Sequence, residues 1–303
     1  MHPIYLTPGA IHSFIQSALA EDIGEGDHSA LGAIPEKAIA KARLLVKDKG
    51  TIAGLELAKM IFKHLDPAIK IEFYKNDGDE IDKGEIAFMV QGPARSILSG
   101  ERLVLNCMQR MSGIATHARR LCQLIVGTNA KLMDTRKTTP NFRIMEKWAV
   151  TIGGGMNHRF SLYSMVMLKD NHIDLAGGIK AAIEATKQYL IQIGKPLSIE
   201  VETRNLAEVA EAMKVGGIEV IMLDNMSLED MKSAVRIIDG KYKTEASGGI
   251  TEANLRDVAG CGVDYISVGA LTHSVKSLDM SLKVMHAFTC VEFHYNLLTV
   301  DLI

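Results

Sequence analysis

Hydrophobic and polar positions in the first hundred residues follow two periods, one typical of helices and one typical of strands. Apolar side chains recur at helical spacing after Thr7 and Pro8, two residues that suit a helix cap and a first helical position. Three later stretches are strand-like and are separated by turn dipeptides: 40–47, 69–74 and 86–92. The pattern predicts a small antiparallel sheet with a helix packed on it.

The pattern changes at about residue 97, where a long helical segment begins and runs to Val126. After it, apolar strand-like segments alternate with helical ones. The predicted strands are 131–134, 163–169, 197–202, 218–224, 242–247 and 263–269. The predicted helices lie near 141–151, 176–190, 205–214, 227–237 and 251–259. This alternation predicts a parallel sheet, and the even spacing of the later strand ends favours a barrel of βα units, although only six of the eight strands of a complete barrel are identified.

Composition narrows the class of protein without naming a function. The chain has 303 residues, 47% of them hydrophobic and 23% charged, and its formal net charge is −2. These values are typical of a folded soluble protein and give no global positive field for nucleic acid or membrane. No apolar run is long enough for a spanning helix, and the first residues lack the pattern of a signal peptide. We therefore expect a cytoplasmic protein that binds neither nucleic acid nor membrane.

Cysteine spacing and glycine motifs exclude several common sites. Four cysteines are present, none in a CxxC pair, so we expect buried, reduced thiols: Cys107, Cys122, Cys261 and Cys290. A Walker A sequence is absent. The glycines 153–155 do not extend to GxGxxG, because His158 stands where the last glycine is required.

Each predicted strand of the parallel sheet is apolar until its carboxyl end, where polar or small residues follow. These ends are 134–137, 169–171, 200–202, 224–225, 245–249 and 269–270. In βα barrels the carboxyl ends of the strands meet at one rim, which is where active sites lie. The sequence therefore predicts an active site at this rim.

A local surplus of positive charge indicates the kind of ligand. Between 134 and 172 there are six cations, Arg136, Lys137, Arg143, Lys147, Arg159 and Lys169, and three acids, Asp134, Glu146 and Asp170. Such a surplus at a barrel rim suits an anion, and arginine matches carboxylate or phosphate oxygens. Lys147, and to a lesser degree Arg143, instead fit solvated charges on a helix.

Two glycine-bearing features predict contacts with the ligand. The triple glycine before His158 and Arg159 favours a loop that approaches a ligand closely or moves over it, because one or two glycines would suffice for a simple turn. Small residues at two successive late strand ends, 247–249 and 269–270, fit backbone loops that hold a phosphate group.

Glu202 and Asp224 end two adjacent strands, and their role is open from spacing alone. They suit a divalent cation, sugar hydroxyls or a salt bridge to Lys169 equally well. Together these features describe an enzyme that acts on a phosphorylated sugar and an anionic partner, without naming the reaction.

The chain resembles quinolinate phosphoribosyltransferases over nearly its whole length. Ten segments in order carry the resemblance: 18–27, 50–58, 101–116, 134–150, 153–159, 168–173, 199–202, 222–225, 247–250 and 262–274. The resemblance implies an N-terminal α/β sandwich domain, 1–112, and an incomplete TIM-like α/β barrel, 113–274, the type II phosphoribosyltransferase fold. The segment 275–303 is expected to pack back on the first domain. The family joins quinolinate to phosphoribosyl pyrophosphate and releases pyrophosphate and carbon dioxide, which leaves nicotinate mononucleotide for de novo NAD synthesis.

By similarity, the quinolinate pocket consists of Thr135, Arg136, Lys137, His158, Arg159 and Lys169. The loops that match those holding the 5′-phosphate are Ser247, Gly248, Gly249, Val268, Gly269 and Ala270. Glu202 and Asp224 match the acids near the ribose and Mg²⁺, and with Lys137 and Lys169 they form the expected catalytic set. Arg102 matches an arginine that enters the partner subunit's site, which implies a homodimer.

Two features depart from the family, and three further functions compete with it. Asn141 replaces a glycine found in many relatives, and the tail after Ala287 matches nothing in the family. A relative specific for nicotinate is the first competing function, and the number of cations disfavours it. The second is a Schiff-base aldolase with Lys169 as its nucleophile, and the third is a non-catalytic protein that binds a sugar phosphate.

Overall fold

The computed structural model describes residues 3–288. In chain order the elements are α1 (Pro8–Ile23), α2 (His28–Ala33), β1 (Ile39–Val46), β2 (Gly50–Thr51), α3 (Leu55–Leu65), β3 (Lys70–Phe73), β4 (Glu80–Ile81), β5 (Ile86–Pro93), α4 (Ala94–Leu124), β6 (Lys131–Met133), α5 (Arg143–Ile152), β7 (Val166–Leu168), α6 (Asp170–Ala176), α7 (Ile179–Gln192), β8 (Ile199–Thr203), α8 (Leu206–Val215), β9 (Val220–Asp224), α9 (Leu228–Ile238), β10 (Lys243–Ser247), α10 (Leu255–Ala259), β11 (Tyr265–Ser267), α11 (Ala270–His273) and β12 (Met280–Phe288).

The chain divides into two compact units. The first comprises the described parts of Met1–His117, Pro140–Gly153 and Val275–Ile303, and the second comprises Ala118–Thr139 and Gly154–Ser274. The sequence placed 140–153 in the barrel, whereas in the structure these residues, including α5, group with the first unit. Among the described residues, no helix is both long and apolar enough to cross a membrane.

The first unit is built on an antiparallel sheet with the strand order β12-β1-β5-β3. Residues of β1 alternate between half-buried and buried, which is the period-2 pattern that predicts a strand. Helix α1 begins as the sequence indicates, because the Thr7 hydroxyl accepts the N–H of Ala10 and Pro8 opens the helix. The sheet with its packed helices therefore follows from local pattern.

The end of the described chain also belongs to this sheet. Strand β12 pairs antiparallel with β1 from Met280 opposite Val46 to Phe288 opposite Ile39. The remaining tail, 289–303, lies outside the described residues, and with it Cys290.

Helix α3 lies where the sequence predicted only strands and turns. Its amino end is capped by a residue from far along the chain, since Asp77 Oδ1 accepts the N–H of Leu55 at 2.9 Å. Its apolar face is buried, and Phe62 meets Phe88 of β5 edge to face with ring centroids 6.4 Å apart. A cap supplied by a distant residue leaves no signal in the local sequence.

The second unit is built on six parallel strands in the order β6-β11-β10-β9-β8-β7. All five pairings in this order are parallel. The strands β6 and β7 stand at opposite ends of the order, and Met156 lies beside β6 through a parallel bridge to Met133. The predicted incomplete α/β barrel is confirmed.

Two expectations from the sequence concern burial, one for the cysteines and one for Lys147. Cys107 and Cys261 are buried free thiols and Cys122 is a half-buried one, and burial raises the pKa of Cys107 to about 12. Lys147, expected to be solvated, is fully buried on α5 beside the buried Glu146. The expectation for Lys147 was wrong, because α5 lies among the core elements of the first unit and not on its surface.

Candidate active site

A cavity of about 280 Å³ opens at the carboxyl ends of the parallel strands in the second unit. Its lining residues are Thr135, Arg136, Lys137, His158, Arg159, Met167, Lys169, Met222, Glu245, Ser247 and Ser267. All six residues predicted for the quinolinate pocket are among them. The parallel fold brings these residues together because every strand of the sheet ends at the same edge.

A larger cavity, of about 480 Å³, lies in the first unit. Its walls include Ile11, Ile15 and Trp148, which are buried and apolar. It lacks the convergent cations of the smaller cavity, so the chemistry is assigned to the smaller one.

Two guanidinium groups give the cavity an unbalanced positive charge. Arg136 Nε is buried and has no hydrogen-bond partner among the described residues. Arg159 is held by a bond from its Nη1 to the carbonyl oxygen of Met165, at 3.1 Å. Burial and the charge of Arg136 lower the pKa of Arg159, and the charge of Glu200 only partly offsets this. An anion between the two arginines satisfies both guanidinium groups and relieves their repulsion.

The two lysines of the cavity are placed differently. Lys137 is exposed, and its backbone is fixed by N–H donation to the Thr135 hydroxyl and by the bond that Thr272 donates to its carbonyl oxygen. Lys169 Nζ lies 3.2 Å from Glu202 Oε2. Lys169 does not end a long strand, as 163–169 was predicted to be, but directly follows the three-residue β7 and precedes α6.

His158 stands between two buried carboxylates. Its Nε2 is 2.9 Å from Glu200 Oε2 and 3.2 Å from Glu245 Oε2. Burial disfavours a charged ring, but the hydrogen bonds and charges of the two carboxylates outweigh it and raise the pKa of His158 to about 9. For Glu200 burial acts in the opposite direction: it raises the pKa of this carboxyl group, although the hydrogen bond from His158 lowers it. Both shifts mean that this cluster keeps protons at neutral pH that the isolated groups would lose.

Asp134, at the end of β6, anchors the loop that carries His158. Its carboxylate accepts the N–H of His158 at 2.9 Å and the side-chain amide of Asn157 at 2.5 Å. The same loop is joined to β6 by hydrogen bonds from Met156 N–H to Leu132 and from Asp134 N–H to Met156. The loop after the triple glycine is therefore fixed to the sheet over these residues.

The predicted phosphate loops follow β10 and β11. Ser247 lines the cavity, whereas Gly248, Gly249, Val268, Gly269 and Ala270 do not. Gly248 has φ 86°, and a Cβ there would collide with the side-chain amide of Asn225. A Cβ at Gly269 would lie 2.9 Å from Lys137 Cδ. The positive φ together with the close approach requires glycine at 248, whereas a Cβ at 269 would require the Lys137 side chain to shift.

Glu202 and Asp224 lie at the carboxyl ends of the neighbouring strands β8 and β9 but do not line the cavity. Glu202 is buried, and it accepts bonds from Lys169 Nζ and from the N–H of Asp170. Asp224 is half-buried, and its Oδ2 accepts the Asn225 amide at 2.6 Å. The salt bridge to Lys169, one of the three open roles, is present for Glu202.

Three cations of the sequence are not part of this cavity. Arg143 and Lys147 lie on α5 in the first unit. Arg102 lies on α4, also in the first unit, and is exposed. The positive surplus found in the sequence therefore divides between the two units.

Sequence reasoning missed Glu200 and Glu245 as site residues. Both are essentially fully buried, and Glu245 lines the cavity. The available signal was spacing: Glu200 alternates with Glu202 on β8, and Glu245 with Ser247 on β10, so each shares a face with a predicted residue.

One group in the described part of the chain has the spacing of a metal site. His158, Glu200 and Glu245 offer ligand atoms within 4.8 Å of one another. The imidazole Nε2 lies within hydrogen-bonding distance of both carboxylates, so a proton on Nε2 joins the three groups without an ion.

Comparison with family models matches both parts of the chain. Residues 27–112 match the N-terminal domain of quinolinate phosphoribosyl transferase, and residues 114–283 match its C-terminal domain. A relative from Nicotiana tabacum, quinolinate phosphoribosyltransferase (decarboxylating) 2a, mitochondrial, is 45% identical over 93% of this chain and 83% of its own length. A probable nicotinate-nucleotide pyrophosphorylase (carboxylating) from Bacillus subtilis is 43% identical over 90% of this chain and 92% of its own.

Solved structures show the same fold. The nicotinate-nucleotide pyrophosphorylase from Francisella tularensis has a TM-score of 0.85 and 37% identity, and the match covers 94% of this chain and 100% of that one. The human nicotinic acid phosphoribosyltransferase has a TM-score of 0.61 at 12% identity, over 93% of this chain and 74% of its own, a likeness of fold alone.

Proposed function

The chain belongs to the quinolinate phosphoribosyltransferase family, and we propose that the cavity of its second unit is where quinolinate receives a phosphoribosyl group and loses carbon dioxide. The products are nicotinate mononucleotide, pyrophosphate and CO2, and the reaction serves de novo NAD synthesis. The observation that carries this assignment is the pair Arg136 and Arg159. One guanidinium has an unpartnered buried nitrogen among the described residues, and the other is destabilised by burial and by its neighbour's charge.

Quinolinate has two adjacent carboxylates, and the cavity supplies more than enough cations for both. Arg136, Arg159 and Lys169 are the groups that bind them, with Thr135 and Lys137 beside them. A planar guanidinium matches a carboxylate with two parallel hydrogen bonds, which also fixes the orientation of the pyridine ring. A monocarboxylate such as nicotinate leaves part of this charge unpaired.

The phosphoribosyl donor is assigned to the adjacent strand ends. The backbone loops of Ser247, Gly248 and Gly249 and of Val268, Gly269 and Ala270 receive the 5′-phosphate. Lys137 packs over Gly269, which brings its ammonium group to the same end of the sheet. There it neutralises negative charge on the departing pyrophosphate.

Glu202 and Asp224 fit a role near the ribose and Mg²⁺. Two carboxylates on adjacent strands suit Mg²⁺, which is commonly held by one or two protein carboxylates together with water and substrate phosphates. When bound, the ion neutralises negative charge on the pyrophosphate. The acids themselves stabilise positive charge that develops on the ribose ring.

The chemistry needs no covalent intermediate with the protein. The quinolinate nitrogen forms a bond to C1 of the ribose as the bond from C1 to pyrophosphate breaks. The nitrogen becomes a pyridinium, which accepts the electron pair released when the neighbouring carboxylate leaves as CO2. The ring carbon then takes a proton from solvent. The protein positions the two substrates and stabilises charge.

A homodimer is part of the proposal. Arg102 is exposed on α4, so it is available to a second copy. Its match to an arginine that enters the partner subunit's site in this family supports this role. The names of the relatives include mitochondrial and chloroplastic proteins, and the cytoplasmic location of this chain stays a prediction.

The decisive experiment mixes purified protein with phosphoribosyl pyrophosphate, Mg²⁺ and either quinolinate or nicotinate. We expect pyrophosphate and CO2 in equal amounts from quinolinate, little product from nicotinate, and loss of turnover when EDTA removes the metal. Absence of product from quinolinate in folded protein would contradict the proposal. Trapping of a carbonyl substrate on Lys169 by borohydride would favour an aldolase instead.

A further inference from the structure

Both ring nitrogens of His158 are already engaged within the protein. Nδ1 lies 2.6 Å from the backbone nitrogen of Arg159 and accepts its N–H whenever the ring carries a single proton, on Nε2. Nε2 faces the carboxylates of Glu200 and Glu245. The side chain of His158 is only 7% exposed, although it lines the cavity. Neither nitrogen is left to donate to a substrate carboxylate.

The two carboxylates depend on this ring. Glu200 and Glu245 are 0% and 1% exposed, and apart from His158 and each other their four oxygens have no hydrogen-bond partner among the described residues. A buried carboxylate that loses its only donor is strongly destabilising, because its charge is then neither solvated nor paired. The proton on Nε2 therefore stabilises this pair of acids in the interior of the sheet.

We propose that His158 is a positioning residue: it supplies the proton that Glu200 and Glu245 need, and it holds the backbone of Arg159 so that this guanidinium faces the substrate. This inference rests on the proposed function, since it concerns how the same cavity receives quinolinate. It differs from the role implied by family resemblance, in which the ring itself lines the pocket as a ligand.

A positioning role for His158 predicts a result that direct contact between its ring and the substrate does not predict. Without the ring, any negative charge that Glu200 and Glu245 keep is unpaired beside a cavity built for a dianion, and it repels the substrate. If the carboxylates are neutralised as well, the reason for the repulsion disappears. Removing the acids therefore rescues the loss of His158 only when the ring does not itself bind the substrate.

The test uses H158N and the triple variant H158N/E200Q/E245Q. Asparagine keeps an acceptor near the place of Nδ1, so the contact with Arg159 is retained while the Nε2 donor is lost. For H158N we expect a roughly 100-fold higher KM for quinolinate, with the KM for phosphoribosyl pyrophosphate within about threefold of wild type. For the triple variant we expect the quinolinate KM to return to within about tenfold of wild type.

Three controls make the outcome decisive. D264N removes a carboxylate that lies just before β11 and outside the cavity, and it should leave both KM values unchanged. Thermal melting identifies any variant that is not folded, and in that case quinolinate binding is compared by calorimetry at a temperature where H158N and the triple variant are both native. Metal analysis of the wild type tests whether an ion occupies the cluster.

Each result has one meaning. A triple variant no better than H158N would show that the ring contacts the substrate and would overturn the proposal, while wild-type turnover would leave the proposed function standing. A stoichiometric metal lost from every variant of the cluster would also overturn it. A wild type inactive with quinolinate would refute the proposed function and this inference together.

Discussion

At the scale of single residues, the cavity depends on a few charged groups that lack a counterion among the described residues. Arg136 Nε is the clearest example, because burial without a partner costs stability unless a ligand supplies one. Residues kept in such a state at a cost to the fold are commonly functional.

The first prediction follows for R136A. Turnover with quinolinate should fall by at least ~100-fold in kcat/KM, about 3 kcal/mol of lost transition-state stabilisation. The melting temperature should stay the same or rise, because a buried nitrogen without a hydrogen-bond partner is removed. R236A, on the exposed face of α9, serves as the matched control. Near-normal quinolinate kinetics in R136A would remove this arginine from the site.

K169A is expected to behave differently from R136A. It breaks the pair with Glu202 and leaves that buried carboxylate with one donor fewer. We expect lost turnover together with a modestly lower melting temperature. Parallel melts and kinetics of the two variants check this contrast, and an unchanged kcat/KM in K169A would contradict it.

The His158 cluster predicts a pH dependence of stability. The folded pKa of His158, about 9, lies above its ordinary value of 6.5. The stabilisation is therefore fully present below pH 6.5 and is lost as the pH rises through 9, by on the order of 3 kcal/mol at most. Urea unfolding of wild type and of H158N/E200Q/E245Q at several pH values in this window measures it. Equal slopes for the two proteins would contradict the assignment.

At the scale of elements, strands and surface helices were predictable because each carries its own period. The segments 40–47 and 86–92 correspond to β1 and β5, and the predicted alternation after residue 126 corresponds to β6–β11 with their helices. The prediction missed α3 because Asp77, its cap, lies 22 residues from Leu55. It overextended β7, because 163–165 are apolar enough to suggest a strand but lie outside it.

Asn141, where the sequence departs from the family, has a backbone conformation that few residue types adopt. It has φ 61°, in the left-handed region that asparagine and glycine tolerate best. Asparagine and glycine both tolerate this conformation, so the position accepts either residue.

The loop after β10 yields a prediction that compares two adjacent glycines. Both glycines have a positive φ, but in G248A the new Cβ collides with the Asn225 side chain, whereas in G249A the nearest contact is 3.9 Å away. We expect G248A to raise the KM for phosphoribosyl pyrophosphate strongly and to lower the melting temperature, with smaller effects for G249A. Steady-state kinetics with each substrate varied in turn measures the difference, and equal effects would contradict it.

At the scale of the whole molecule, the proposed dimer predicts complementation between inactive variants. If Arg102 enters the partner subunit's site, R102A and R136A are each inactive alone, but a mixed dimer has one intact site. Random reassociation of equal amounts gives half mixed dimers, each with one of two sites active, so about a quarter of wild-type activity should return. No recovery after verified subunit exchange would place Arg102 in its own subunit's site or outside the reaction.

The sequence by itself determined the class of fold, the edge of the sheet that carries the site and the positive character of its ligand pocket. These follow from periodicity and from residue types at strand ends, which are local properties. The tertiary structure alone decided that Arg143 and Lys147 leave the cationic cluster, that Lys147 is buried, and that Glu200 and Glu245 surround His158. Burial and ion pairing join residues from strands far apart in the chain, and spacing along one segment does not encode them.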